Sequence, residues 1–341
     1  MWGLFSFLRA ECLNKNLYVG TPIVWIPGRW KQWHERGSIG WKIVSRQIQK
    51  TIQKIGNKTN KVISWIYRPE QLHCVGLAKE DFTVYECYDE YSLSHIDGTF
   101  RPEVEDEENK LLEKADLVFT ASHALFESRK KKHSNVHYAP NGVDFKLFNQ
   151  AALDNLPVAN DLKKIPLPRI GFIGNLCGRI DFNLLEKIAL HNKKWSVVLM
   201  GPVEREVEKD LNSLQQQGNV HYLGYKPREI LPQYLKGFDV CILPFKRHGW
   251  NEHSNPLKLW EYLSAGKPVV STPIKEIETL QEVIWLAKDH EEFISALSKA
   301  LHEVKERQTA SGIEIARKHS WDDLTCNMFE TVKKCLDEQR T

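Results

Sequence analysis

The sequence predicts an α/β protein built from two Rossmann-like domains. Apolar runs alternate with amphipathic stretches along most of the chain, the pattern of βα units that feed a parallel sheet. A stretch from Gln150 to Pro168, with Pro157, Pro166 and Pro168 and little periodicity, separates two such series and reads as a linker. The length of 341 residues suits two domains, each large enough to bury a core. The expected divisions are a first domain over residues 1–155, a second over 156–320, and a closing helical segment, 321–341, that packs back on the first.

In chain order, the first domain's strands are expected at Val62–Tyr67, Phe82–Tyr88, Leu117–Ala121 and Val136–Ala139. Those of the second are expected at Arg169–Ile173, Trp195–Met200, Val220–Leu223, Val240–Pro244, Pro268–Ser271 and Val283–Leu286, with helical patterns between most of them. A further helix is expected over Trp321–Leu336. Ahead of the first strand, charge is lopsided. Between Arg29 and Lys61 nine basic residues face Glu35 alone, with Trp30, Trp33 and Trp41 interleaved. On a helix, Trp41, Val44, Ile48, Ile52 and Ile55 make an apolar stripe opposite Lys42, Arg46, Lys50 and Lys54. That is either the solvated face of an ordinary Rossmann helix or a surface for anionic headgroups or a phosphorylated acceptor.

Composition narrows the function classes. A net charge of +3, with 42% hydrophobic and 27% charged residues, is ordinary for a globular protein and gives no footing for a nucleic-acid partner. The seven cysteines are scattered, odd in number and free of any C-x-x-C pair, which fits reduced thiols in the cytoplasm better than disulfides or a zinc site. No run approaches the roughly 18 apolar residues that suggest a membrane span. The apolar opening, Met1 to Arg9, lacks the basic region and cleavage site of a signal peptide. The expected location is therefore cytoplasmic, with peripheral contact at the inner face of the membrane through residues 29–61 as the sharper reading of the basic stretch.

The segment Asn255 to Val270 carries the strongest chemical signal. Pro256 suits a helix start because its missing N–H would be unpaired there anyway. Lys258 and Glu261, three apart, fall on one helix face. Free amides and the positive dipole end favour an anion at that start, and Lys258 adds a full charge. The same features also describe an ordinary helix-to-strand junction. After the strand at 169–173 comes Gly171-Phe-Ile-Gly174-Asn-Leu-Cys-Gly178-Arg179. Its glycines let amides approach a phosphate, although the run is neither G-x-G-x-x-G nor a Walker loop, so NAD and ATP lose support. Arg179 can make a bidentate phosphate contact, and Asp181 reads as a helix N-cap. Gly201 and Gly224 each end a predicted strand, at the edge where open α/β sheets bind ligands. Gly201 and Tyr225 are thus candidates for the two sides of a base pocket, or simply loop turns.

Taken together, Gly171 to Arg179, Trp195 to Pro202, Val220 to Tyr225, Phe238 to Pro244 and Asn255 to Val270 resemble the nucleotide-sugar-binding domain of glycosyltransferase family 4, retaining enzymes of the GT-B fold. Val84 to Tyr91, Ala115 to Ser122 and Pro140 to Asp144 are similar to that family's acceptor domain, and the order resembles the teichuronic-acid-biosynthesis-like branch. The resemblance covers roughly residues 60–335. It implies two Rossmann-like domains facing a central cleft, the N-terminal one incomplete because the family's opening strand, glycine loop and helix have no counterpart before Tyr18.

What the resemblance implies chemically is transfer of a sugar from a nucleoside diphosphate sugar to a glycan, polysaccharide or lipid-linked acceptor with retained configuration, in bacterial surface polysaccharide or glycolipid assembly. Arg179 and Lys258 would hold the diphosphate, and Glu261 the ribose hydroxyls. Gly174, Gly201, Tyr225, Asn255, Pro256 and Leu257 would complete the donor site. No metal and no cofactor are expected, since the two cations take the metal's place. Asp89, His95 and His123 are weak candidates for proton chemistry. Departures from the family pattern also show. His253 stands where many members carry a glutamate, with Glu252 one residue earlier, and Asp181 to Leu185 supply no lysine. The alternative is a catalytically weak or inactive glycosyltransferase-like protein that binds a nucleotide or a partner.

Overall fold

The computed structural model describes residues 8–14, 17–22, 39–55, 61–94, 96–247, 249–303 and 306–339. Strands β1 (Leu8–Asn14) and β2 (Leu17–Pro22) form an antiparallel pair. A four-stranded parallel sheet follows, in the order β3 (Ile63–Ile66), β4 (Phe82–Cys87), β5 (Leu117–Thr120), β6 (Val136–Tyr138). The second sheet is also parallel and has six strands: β7 (Arg169–Ile173), β8 (Ser196–Met200), β9 (Val220–Tyr222), β10 (Val240–Leu243), β11 (Val269–Ser271) and β12 (Trp285–Leu286). Its order is β12-β11-β10-β7-β8-β9. All ten parallel strands fall where the apolar runs place them.

The inner strands β4, β5, β7, β8, β10 and β11 are buried on both faces, which is why their sequences are continuous apolar runs rather than alternating ones, while the edge strands β3, β6, β9 and β12 are partly exposed. In β8 every residue from Ser196 to Met200 is buried. The period of two still decides which neighbour each side chain meets. Along β4 and β5, Tyr85, Cys87 and Val118 point into one cluster with Leu111, Leu112 and Leu125. Phe82, Val84, Leu117 and Phe119 point into another with Met328 and Val332. Those last two belong to the helix Trp321–Glu338, whose Ser320 hydroxyl caps it by accepting from the Asp323 amide. The chain's last helix therefore covers one face of the N-terminal sheet, and Trp65 packs between Phe119 and Phe329 at ring separations of 5.8 and 5.9 Å.

The stretch read as a linker is not a free tether. Ala151, Ala159, Leu162 and Ile165 are buried in the core of the six-stranded domain, and Asp161 accepts from Lys226 (2.8 Å) and Tyr234 (2.9 Å). Proline spacing hid these anchors, because short 3-10 turns at Asn149–Ala152 and Leu162–Lys164 leave too few residues for a period to show.

The basic helix spans Ile39–Ile55 and contains no acidic residue. Val44 is buried, Ser45 and Gln49 donate to the Leu77 carbonyl at 2.7 and 2.9 Å, and Lys42, Arg46, Lys50 and Lys54 are exposed. The apolar opening through Phe7, the tryptophans Trp30 and Trp33, and the cations Arg29, Lys31, Arg36 and Lys58 lie outside the described residues. Among the described residues no helix is long and apolar enough to cross a membrane.

Candidate functional site

Strand order fixes where a ligand can sit. In the six-stranded sheet, β7 is followed in sequence by β8 on one side, while β10 lies on its other side. Loops leaving the carboxyl ends of β7 and β10 therefore diverge and leave a crevice between them. The loop after β7 contributes Gly174, Asn175, Cys177 and Arg179, and that after β10 contributes Phe245 and Trp250. Together with Arg68, Tyr88, Asp89, Tyr91 and Arg101 from the N-terminal domain, and with Asn255 to Lys258, they line a cleft of about 530 Å³ between the two sheets.

Arg179 is the best-fixed cation in the cleft. Its guanidinium lies over the Trp250 ring, 3.8 Å from the centroid, and its Nε donates to Asn251 Oδ1 at 3.0 Å. Asn251 in turn is oriented by donating to the Lys246 carbonyl at 2.7 Å. Burial pulls the guanidinium down from its ordinary value, the Asp89 charge pushes back, and the group remains a cation. Asp89, across the cleft, shows the converse. Burial lifts its carboxyl to about 7 against the opposing pull of Arg179 and Arg68.

Lys258 stands in the first turn of the helix Leu257–Ser264 and Glu261 one turn further along the same face, with Pro256 at the N-cap position just outside it. Lys258 Nζ meets Glu261 Oε2 at 2.9 Å; the carboxylate side chain is 5% exposed and the lysine 27%. Burial raises the Glu261 carboxyl and the Lys258 cation draws it back down. Gly266 ends the helix at φ +66°, where its amide reaches the Leu263 carbonyl at 3.0 Å.

Gly174 and Gly201 are brought together. Gly201 has φ +133°, and a Cβ there would lie 2.0 Å from the Gly174 carbonyl oxygen, so only glycine lets the two loops touch. The Gly201 amide donates to the Gly224 carbonyl at 3.0 Å, which stacks three strand-end loops side by side. Tyr225 beyond them is 70% exposed and does not line the cleft. Asp181 is the N-cap the sequence suggests, accepting from the Leu184 amide at 3.0 Å, and it also meets His290 at 2.8 Å.

Other sequence candidates serve as connections between the domains. Asn255 donates to the Ala121 carbonyl (3.0 Å), accepts from Trp260 Nε1 (3.0 Å), and through its own carbonyl accepts from Asn141 (2.8 Å). The His253 carbonyl accepts from the Ser122 hydroxyl at 2.7 Å, while its Nδ1 faces the Gly249 carbonyl at 2.6 Å. His123 stands outside the cleft: its Nδ1 lies 3.0 Å from Glu276 Oε1, which also accepts from Tyr138 at 2.6 Å. Glu252 is exposed and does not line the cleft, and His95 lies outside the described residues. Sequence reasoning missed Arg68, Arg101 and Trp250, which belong to no motif, and gave no role to Tyr88 and Tyr91, although both stand in the stretch Val84 to Tyr91; of the first three, only the Arg101-Pro102 junction, at the start of the helix Pro102–Leu112, carries a local signal.

Comparison with known proteins agrees with this geometry. Residues 167–303 match the family model described as Glycosyl transferases group 1. Over 259 residues, 72% of this chain, the sequence is 29% identical to "Putative teichuronic acid biosynthesis glycosyltransferase TuaH" of Bacillus subtilis (strain 168). That match takes in 65% of TuaH, so the chain spans just under two thirds of this relative. Among solved structures, Anabaena Alr3699/HepE in complex with UDP superposes with a TM-score of 0.63 at 15% identity, covering 86% of this chain and 82% of that one. Sucrose-phosphate synthase (tll1590) from Thermosynechococcus elongatus gives 0.68 at 15% identity, covering 97% and 83%. The chain therefore has the GT-B fold, and its residues 167–303 are a domain of the glycosyl transferases group 1 kind.

Proposed function

We propose that the chain is a retaining, metal-independent glycosyltransferase that moves a hexosyl group from a nucleoside diphosphate sugar to a glycan or lipid-linked acceptor in bacterial surface polysaccharide assembly. The observation that carries this reading is that Arg179, from the loop after β7, and Lys258, from the first turn of the helix Leu257–Ser264, line one cleft. A diphosphate there meets one guanidinium, one ammonium and the free amides of a helix N-terminus, all oriented before it arrives.

In this reading the acceptor oxygen forms a bond to the anomeric carbon as the bond to the phosphate oxygen breaks. The leaving phosphate takes the acceptor's proton. Arg179 and Lys258 stabilise the negative charge that grows on that oxygen and so supply the charge a metal would otherwise meet. Glu261, held at one oxygen by Lys258, takes the ribose hydroxyls at the other. Gly174 and Gly201, pressed together at the strand ends with their amides spent on the Met200 and Gly224 carbonyls, let the nucleotide come close to the backbone, and Tyr225 borders the base from outside the cleft. HepE was solved with UDP, which makes uridine the first base to try.

The test is a thermal-shift screen with UDP-, GDP-, ADP- and dTDP-sugars, followed by titration of whichever binds. One nucleotide class should raise the melting point. Arg179→Ala and Lys258→Ala should each weaken binding at least tenfold and abolish transfer. Failure of all four classes to bind the folded protein sinks the reading.

A second reading concerns placement. The helix Ile39–Ile55 turns Lys42, Arg46, Lys50 and Lys54 outward with no acidic residue among them. We propose that this face rests on anionic headgroups and keeps the enzyme at the membrane that holds a lipid-linked acceptor.

A further inference from the structure

The donor reading uses the cations of one wall of the cleft, and the opposite wall carries two more. Arg68 and Arg101 both line it from the N-terminal domain, beside Tyr88 and Tyr91. One carboxylate serves both guanidiniums: Glu70 accepts from Arg68 at 3.0 and 3.3 Å, and its carboxyl also feels the charge of Arg101. Arg101 spends one terminal nitrogen on the carbonyls of Tyr91 and Leu93, while its Nε is buried without a hydrogen-bond partner. Arg68 leans on the Tyr91 ring, 5.8 Å from its centroid. Two guanidiniums set against the Glu70 carboxylate, beside an Asp89 carboxyl that burial lifts to about 7, leave a positive charge at that wall, next to two tyrosines set edge to face 5.4 Å apart.

We infer that the acceptor for this cleft is a sugar carrying an anionic group, a carboxylate or a phosphate, bound by Arg68 and Arg101, with Tyr88 and Tyr91 packing against the sugar ring. This rests on the proposal that the facing wall, with Arg179 and Lys258, takes the donor. The chemistry follows from the side chains. A neutral hydroxylated acceptor needs no cation, whereas an anion gains from the guanidinium N–H groups not spent on Glu70, Tyr91 and Leu93. Guanidiniums pair with carboxylate or phosphate through two parallel hydrogen bonds, and aromatic faces with a few placed polar groups are how small-molecule sites fix a ring. Asp89 stands on the same wall, and its burial-raised carboxyl limits the repulsion an anion would meet there.

The experiment titrates methyl β-glucoside, methyl β-glucuronide and glucose 6-phosphate into the full chain, with and without the nucleotide identified by the screen. Nucleotide binding is read first and separately, so a failed donor reading is distinguishable from a failed acceptor inference. The glucuronide, the sugar phosphate or both should bind at least tenfold tighter than the neutral glucoside, and the comparison of the two tells carboxylate from phosphate. Arg68→Gln, an exposed position whose loss leaves the fold intact, should cut that preference about fivefold with the nucleotide affinity unchanged. Arg101→Gln should do the same if the variant melts normally. If neither anionic sugar binds better than the glucoside, or the preference survives in Arg68→Gln and in a folded Arg101→Gln, the inference is wrong.

Discussion

Lys258 Nζ and Glu261 Oε2 face each other at 2.9 Å across one turn of the helix Leu257–Ser264, the carboxylate side chain only 5% exposed and the lysine reaching the cleft. The pair is asymmetric. Removing the lysine strands a buried carboxylate, whereas replacing the carboxylate leaves a cation that water can still reach. Lys258→Ala should therefore lower stability by about 1–3 kcal/mol, the usual cost of an unsatisfied buried group, and Glu261→Gln by less. Urea unfolding of the two variants at neutral pH measures the difference. Equal losses would mean that the lysine is no more than a surface charge.

Asp89 makes stability depend on pH in an unusual direction. Its folded-state carboxyl titrates near 7, far above an unfolded aspartate near 3.9. Between those values the folded protein holds a proton that the unfolded chain has released, so stability falls as pH rises through roughly 4 to 7 and levels off above. Asp89→Asn removes this contribution. The variant should gain urea resistance over the wild type at pH 8 and little at pH 4.5. An unchanged difference at the two pH values would show that the carboxyl titrates normally.

How much of this was written in the sequence depends on the range of the interaction. Strands such as Val197 to Met200 were legible because burial on both faces demands an unbroken apolar run, and burial is a local signature. The helix at 257–264 was legible from its ends, with Pro256 before it and Gly266 after it, because caps are local as well. The bonds that join the domains were not. Ser122 to His253 and Asn255 to Ala121 connect residues 131 and 134 apart, and no spacing in the chain encodes such pairs. The two arginines of the acceptor wall escaped notice for the same reason: Arg68 follows β3, whereas Arg101 stands with Asp89, already a candidate from the sequence, in the connection after β4, and the three meet only after the sheet has formed.

Glu276 acts as a clasp between the domains. Its carboxylate, 5% exposed, accepts from the His123 amide at 2.8 Å and from Tyr138 at 2.6 Å, with His123 Nδ1 at 3.0 Å and the His123 and Tyr138 rings 4.1 Å apart. Glu276→Ala leaves the Tyr138 hydroxyl and a helix-start amide without partners. The domains should then separate more readily, seen as faster hydrogen exchange at residues 122–126 and 138 and an increased radius of gyration, with a cost of about 1–2 kcal/mol. Unaltered exchange in those segments would mean that the remaining bonds, at Ser122, Asn141 and Asn255, hold the interface by themselves.

The basic helix offers a test that needs neither donor nor acceptor. Lys42, Arg46, Lys50 and Lys54 follow one another at four-residue intervals within Ile39–Ile55, and Lys42 to Lys54 takes up about 18 Å of helix at 1.5 Å per residue. Each step of four drifts about 40°, so the four heads fan across roughly a third of the helix circumference, on a surface that Val44 and the Leu77 bonds hold away from the core. A cation near an anionic bilayer contributes about 1 kcal/mol, so four give up to about 4 kcal/mol at low ionic strength. At 1 M salt, where the screening length is about 3 Å, that attraction should vanish. The protein should float with vesicles containing anionic lipid at low salt, sink at high salt and ignore neutral vesicles. Replacing the four cations with glutamine should abolish flotation without altering the melting point, since all four are exposed. Flotation that persists in the quadruple variant, or with neutral lipid, would assign membrane contact to another surface.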